Sequence, residues 1–342
     1  LKSWRKRLWA AGLIVGLLFF GAATVPAGEI YRWRDAAGVL HYADQPPQGA
    51  AATVESTAAA ADTDPVVAST APLQAENAGG VFWRIAKPDG GPPSYLLGTI
   101  HSDDPRVLRV SPELNAALAG ANTFVMEMEL DADAFFQFGA AMLLTDGSDL
   151  AQLLGAVDFR RVMDAVADYG LPEAALRKVK PWVVLAMVSQ PKPQTGEIMD
   201  LVLYRRAQTA GKRTAGLETA AEQIAVFNTL SMDEQISLLR ATLDQIEAVP
   251  RMHARLVATY LQNDLGAIES LARELTPGDD TGVGRRFMRR INEERNARML
   301  TRMLSHLDRG GAFVAVGALH LAGPEGLVAQ LRARGFELTP MP

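Results

Sequence analysis

Cysteine is missing from all 342 residues. That excludes disulfides, thiolate metal sites and a cysteine nucleophile. A fold exported to an oxidising compartment must then rest on its core alone. Histidine is scarce, with five in the chain, so a metal site built on imidazole has few places to go. The HExxH, GxSxG, Walker A and GxGxxG patterns do not occur. Standard zincins, α/β-hydrolases, P-loop enzymes and dinucleotide-binding folds thereby lose their usual signatures. Basic residues are outnumbered, 34 to 39, for a net charge of −5, and no basic stripe points to nucleic acid. Beyond the N-terminal segment no apolar run is long enough to span a bilayer.

What is present begins with that segment. Lys2, Arg5, Lys6 and Arg7 precede a nearly unbroken apolar run from Leu8 to Thr24, and Val25-Pro26-Ala27 supplies small residues where a signal peptidase reads. Residues 1–27 are expected to be a secretory signal or an uncleaved inner-membrane anchor. Both place the remainder in the periplasm. Residues 28–47 carry a hairpin pattern: Ile30, Tyr31 and Trp33, a turn at Asp35–Gly38, then Val39, Leu40 and Tyr42. The pattern Tyr-x-Trp-x-Asp-x-x-Gly, followed by an aromatic strand and Asp-x-Pro-Pro, resembles a small envelope module of unknown function. His41 reads as a strand residue. Residues 48–80 are rich in Ala, Thr and Pro without periodicity and are expected to be a flexible linker.

The main domain, 81–342, reads as strands alternating with helices. Strands are expected at Val81–Ile85, Tyr95–Ile100, Thr123–Leu130, Lys212–Glu218, Ala312–Val316 and Phe336–Thr339. Ser111 before Pro112 marks a helix start, and Ser231-x-x-Glu234 is a capping box. Helical patterning covers 132–188 with breaks near Asp146-Gly147 and Gly170–Pro172. Single helices are expected over 251–274 and 286–308. The fold class is therefore α/β (or α+β), a mixed, largely buried sheet with a large helical insertion.

Two strand-like runs end alike, SYLLGTIH at His101 and GAFVAVGALH at His320. Glycine permits a sharp turn, and a residue three further on lands beyond the strand's carboxyl end, where open α/β sheets bind ligands. The two imidazoles can converge there as metal ligands, or each can brace a loop carbonyl. Glu127 and Glu129 alternate with Met126, Met128 and Leu130, which puts both acids on one strand face. In an interior strand such acids need a partner, a metal or a shared proton; on an edge strand they are solvated. Glu218 ends AGLET, either as a site carboxylate or as a bystander to an N-cap at Thr219. Asp103 and Asp104 read as turn residues, and His253 and His306 as structural. Arg295 interrupts the apolar stripe Phe287, Ile291, Met299, Met303, Leu307. It is either a buried guanidinium that wants a carboxylate or an anion, or a snorkelling edge residue. Two histidines and one glutamate suffice for a catalytic divalent metal with an open position.

Together LLGTIH, FVMEMEL, the Asp200 region, GLETAAEQ, ERNARM and FVAVGALHLAGPEGLVAQLRARGFEL, in this order, resemble the TraB/PrgY/GumN family, whose animal relatives include the Tiki metalloproteases. The resemblance runs from about Val81 to Leu338. It implies a fold similar to the haem-binding ChaN and erythromycin-esterase group. It also implies a divalent-metal site (manganese, cobalt or zinc) on His101, Glu127 and His320. Members often carry Glu-x-Asp where this chain has Glu127-x-Glu129. Glu218, Arg295 and Asn296 match further family positions. The expected function is a periplasmic metal-dependent hydrolase, peptidase-like, with Glu129 or Glu218 moving the proton and Arg295 steadying a carboxylate or oxyanion. The competing expectation is an envelope binding protein that sequesters a peptide, haem or other ligand without turnover. A third is an interaction protein whose hairpin module docks partners.

Overall fold

The computed structural model describes residues 31–34, 40–43, 79–87, 90–192, 195, 197–275 and 282–342. Residues 1–27, the Asp35–Gly38 turn, linker residues 48–78 and loop residues 276–281 lie outside them. Strands β1 (Tyr31–Arg34) and β2 (Leu40–Ala43) pair antiparallel, Tyr31 opposite Ala43 and Trp33 opposite His41, as the hairpin pattern predicts.

The second unit is built on one six-stranded sheet. Its strands are β3 (Phe82–Ala86), β4 (Ser94–Thr99), β5 (Thr123–Met128), β6 (Arg213–Glu218), β7 (Ala312–Gly317) and β8 (Glu337–Pro340), in the order β6-β5-β7-β4-β3-β8. The four strands β6-β5-β7-β4 are parallel, and β3 runs antiparallel to both β4 and β8. The expected mixed, buried sheet is what forms. Both faces are covered because alternate side chains leave each strand in opposite directions. Phe124, Met126, Leu97, Phe313 and Ala315 face the helices Met199–Thr209, Val249–Leu261 and Leu265–Leu275. Val125, Leu96, Val314, Val316 and Leu217 face the helices Arg295–Arg309 and Leu327–Arg332.

Sequence from the β5–β6 and β6–β7 connections builds a second core. Its centre is the helix Pro181–Val188, buried at all eight positions, as a helix apolar on every side must be. Trp182 stacks on Phe227 at 4.9 Å, and Phe227 meets Phe287 edge-on at 5.8 Å. Among the described residues no helix is long and apolar enough to cross a membrane.

Two expected helices are divided. The 251–274 pattern becomes Val249–Leu261 and Leu265–Leu275, split at Asn263, whose φ of 55° ends the first helix. Asn263 Oδ1 accepts from the Val81 amide at 2.7 Å, which ties the break to the sheet. The 286–308 pattern becomes the helix Val283–Arg289, a π turn at Arg290–Glu294 and the helix Arg295–Arg309.

Parallel strands leave their carboxyl ends along one edge. There the glycine of LLGTIH has a specific job: a methyl on Gly98 would lie 2.8 Å from the Ala318 Cα. Only glycine lets the chain beyond β7 settle across β4. Gly98→Ala is therefore expected to lower stability by about 1–3 kcal/mol through overpacking against backbone, read as a shifted midpoint with unchanged slope in urea unfolding at pH 7.

Candidate functional site

Four strands end at this edge: β4 at Thr99, β5 at Met128, β6 at Glu218 and β7 at Gly317. His101 stands two residues past β4. His320 closes a short 3-10 turn, Ala318–His320, directly after β7. Because β7 lies between β4 and β5, the two tips and Glu127 line one cavity of about 40 Å³, room for an ion and water.

Each imidazole is held from behind by a different helix. His101 Nδ1 lies 2.9 Å from Asp200 Oδ2, and Asp200 Oδ1 accepts from the Thr99 hydroxyl at 2.6 Å. Asp200 sits in the first turn of the helix Met199–Thr209. A carboxylate only accepts, so His101 Nδ1 carries a hydrogen. On the opposite sheet face, Asn296 Nδ2 donates to the Glu325 carbonyl at 2.8 Å. That orients Asn296 Oδ1 toward His320 Nδ1, 2.7 Å away, so this Nδ1 is also a donor. Nε2 of each neutral ring is left with its lone pair, the pattern by which outer partners orient ligating histidines.

Glu127, 3% exposed, is the centre of the cluster. Its Oε1 accepts from the Gly317 amide at 2.8 Å and lies 3.5 Å from His320 Nε2. Its Oε2 accepts from Arg295 at 2.5 Å. Gly317 also makes room for the acid, since a methyl there would meet Glu127 Oε1 at 3.3 Å. Arg295 bridges Glu127 to Glu218, at 2.6 and 2.8 Å from Glu218 Oε2. Arg298 takes Glu218 Oε1 at 3.0 Å, and Gln223 reaches Glu218 at 3.3 Å. The π turn before Arg295 adds a residue to the helical repeat, and Arg295 and Asn296 both face inward; such turns are frequent at functional sites.

Burial alone would raise the Glu127 carboxyl, but the Arg295 guanidinium brings it down to about 2. Burial, aided by Arg295 and His101, pushes the His320 imidazole down to about 3. Burial also works to lower His101, yet the Asp200 charge and hydrogen bond leave it above the usual histidine value. Burial opposes the charge on Arg295, and Glu127 and Glu218 more than restore it.

The structure brings together His101, Glu127, His320, Glu218 and Arg295. It does not bring in Glu129. Strand β5 stops at Met128 rather than Leu130, and the chain then passes so close over β6 that a methyl on Gly216 would lie 2.7 Å from the Glu129 amide nitrogen. Strand alternation no longer applies, and Glu129 accepts from the Thr214 hydroxyl at 2.5 Å. Thr219 caps the helix Ala220–Asn228 through a box with Glu222, so Glu218 is both neighbour to a cap and partner to Arg295. Asp104 is a turn residue bound to Arg106, and Asp103 accepts from the Thr195 amide. His253 lies 3.2 Å from Ser102 Oγ, and His306 is 3.1 Å from Arg309. The partner role of Asp200 was not visible in the sequence. Its signals are the family resemblance of the Asp200 region and an acid on the buried side of a helix's first turn.

The donor chemistry fits a divalent cation: two neutral imidazoles with oriented rings and one carboxylate. The 3.5 Å between His320 Nε2 and Glu127 Oε1 is too long for a hydrogen bond. It is near the roughly 3.4 Å that separates two donors on one ion with bonds of about 2.0–2.2 Å. The enclosure is incomplete, however. Among the described residues no three His, Asp or Glu side chains converge closely enough to hold an ion.

Residues 81–340 match the model of the TraB/PrgY/gumN family. The chain belongs to this family. Residues 17–75 match a domain of unknown function, DUF4124. The family domain is similar to Metalloprotease TIKI2 of Danio rerio, 26% identical over 324 residues, covering 79% of this chain and 62% of the relative. Metalloprotease TIKI1 of Danio rerio is 27% identical over 313 residues, covering 76% and 63%. The human Metalloprotease TIKI1 is 24% identical over 316 residues, covering 76% and 62%. The chain thus spans less than two thirds of the length of the curated relatives it matches. No solved structure gives a significant match.

Two predictions come from this geometry. Arg295→Met leaves Glu127 and Glu218 buried without their shared cation. It is expected to cost about 3–5 kcal/mol in denaturant unfolding, while Arg295→Lys recovers part of the loss. Second, in the presence of chelator the unfolded chain protonates His320 near pH 6.5 while the folded ring stays neutral to about pH 3. Stability is therefore lost as pH falls below 6.5, at up to about 1.4 kcal/mol per pH unit. Below pH 4.5 the depressed Glu127 adds a second loss, in the same direction, toward pH 2. His320→Gln should reduce the slope between pH 6.5 and 4.5, the remainder coming from His253 and His306, which burial also lowers, while Arg295 retains most of the Glu127 limb.

Proposed function

We propose that the domain is a divalent-metal-dependent hydrolase of peptidase type that acts on peptides in the periplasm. The observation that carries this reading is the pair of matched strand tips. Each delivers an imidazole whose Nδ1 is committed, to Asp200 or Asn296, and whose Nε2 is left for the cavity that Glu127 shares. The relatives' name, metalloprotease, supports it.

In this reading His101, Glu127 and His320 would hold the cation, be it manganese, cobalt or zinc. A bound divalent cation lowers the pKa of water to about 7 and polarises a carbonyl. The chain's own residues do the rest. Asp200 and Asn296 fix which nitrogen of each ring faces the cavity. Arg295 holds Glu127 by Oε2 and leaves Oε1 on the cavity side. Glu218, clamped between Arg295 and Arg298, anchors Arg295 rather than moving a proton, and Glu129 stands outside the cluster. The N-terminal charge pattern and apolar run support export, with the signal cleaved or kept as an inner-membrane anchor.

One observation favours the non-catalytic alternative, a module that holds a peptide, haem or other ligand. Glu127 already has Arg295 and Gly317 as partners without any ion. Metal content of the purified full chain separates the two readings. The hydrolase reading expects about one divalent ion per chain, lost in His101→Ala and in His320→Ala while circular dichroism is unchanged, and peptide cleavage that stops on chelation. No bound ion after loading with manganese, cobalt and zinc in turn removes the hydrolase and leaves the binding module.

A further inference from the structure

The cavity that holds the polar cluster is polar at one end only. Its other wall is Leu256 of the helix Val249–Leu261, Ile268 and Leu271 of the helix Leu265–Leu275, and Ile100 and Leu319 from the two tips. Ile268, Leu271 and Ala272 follow helical spacing on one face and are 1%, 5% and 8% exposed. The wall is therefore fixed by core packing. Asn263, which joins the two helices, also donates to the Met341 carbonyl at 3.3 Å and accepts from Val81 at 2.7 Å, so the helical pair is tied to the sheet. The walling side chains carry no hydrogen-bonding group. A polar or charged side chain placed against them would lose its water without gaining a partner. The whole cavity, polar end included, is about 40 Å³, about three water positions. The share along this wall suits an aliphatic side chain of valine to leucine size at most and excludes an indole.

We propose that this wall is a specificity pocket for one medium-sized aliphatic side chain of a peptide, the residue beside the backbone group that faces His101, Glu127 and His320. The proposal rests on the peptide reading above and adds a substrate class to it: peptides with Val, Leu or Ile at that position. A missing methylene in such a pocket costs on the order of 10–200-fold, and a stranded charge costs more.

The test uses the full chain and the peptides Ala-Ala-X-Ala-Ala, with X as Gly, Ala, Val, Leu, Phe, Asp or Lys. Binding is measured by calorimetry on metal-free protein, and cleavage separately after manganese or cobalt loading. Leu and Val are expected to bind at least tenfold more tightly than Ala, with Asp and Lys below Ala. Two variants should move the preference in opposite directions, which damage to the fold would not do. Ala272→Leu fills the pocket and should favour Ala over Leu, whereas Leu271→Ala enlarges it and should admit Phe. Binding that ignores X, that favours Asp or Lys, or that is absent for every peptide overturns the pocket. Ranked binding without cleavage keeps the pocket and removes the hydrolase, and cleavage without ranking does the reverse.

Discussion

The upper edge of the sheet depends on keeping one buried carboxylate charged. Glu127 leaves β5 on the same face as Val125 and is almost wholly shut off from water. An ion in that position is expensive unless its lone pairs are all met. Arg295 and the Gly317 amide meet one oxygen each, with the His320 ring 3.5 Å from the second, and each comes from a different element. The carboxylate therefore fixes how the helix Arg295–Arg309 lies over the sheet, how β7 ends, and where the turn carrying His320 begins. Glu218 completes the arrangement by giving the same guanidinium a second anion. One buried cation between two buried anions would leave a net negative charge, and Arg298 at Glu218 offsets it from the half-exposed side.

Much of the sheet was legible in the sequence because its signals are local. A run of buried β-branched and aromatic residues marks a parallel strand, and all six strands of the main sheet lie within a residue or two of the expected spans. The two glycine-histidine tips could be picked out for the same reason, since each is a contiguous pattern. What failed to show depended on contacts far apart in the chain. Strand alternation put Glu129 beside Glu127, but β5 is cut short by the crossing over Gly216, a partner 87 positions away by sequence number. The 286–308 stripe looked like one helix because a π turn does not alter composition. Asp200 and Asn296 were marked only by the family resemblance, and their roles could not be read because the partner of each lies on another element.

The aliphatic wall and the polar cluster meet because of the same topology. Inserting β7 between β4 and β5 crosses two chain ends at one edge and leaves a crevice there. The helices on one sheet face roof it with leucine and isoleucine, while the helix on the other face supplies arginine and asparagine. The first layer also supplies Asp200 behind His101, so each helical layer orients one of the two imidazoles.

The two histidines arrive by near-identical sequence but do not end alike. His101 is backed by an anion, Asp200, and its affinity for a proton rises above the usual value. His320 is backed by a neutral amide, faces Arg295, and loses its affinity down to about pH 3. His320 thus offers a lone pair throughout the physiological range. His101 offers one when its ring is neutral, and Asp200 makes that ring the more basic of the two. The difference lies in the surroundings: Asp200 sets a charge behind His101, whereas burial and Arg295 act on His320 with no charge behind the ring to oppose them.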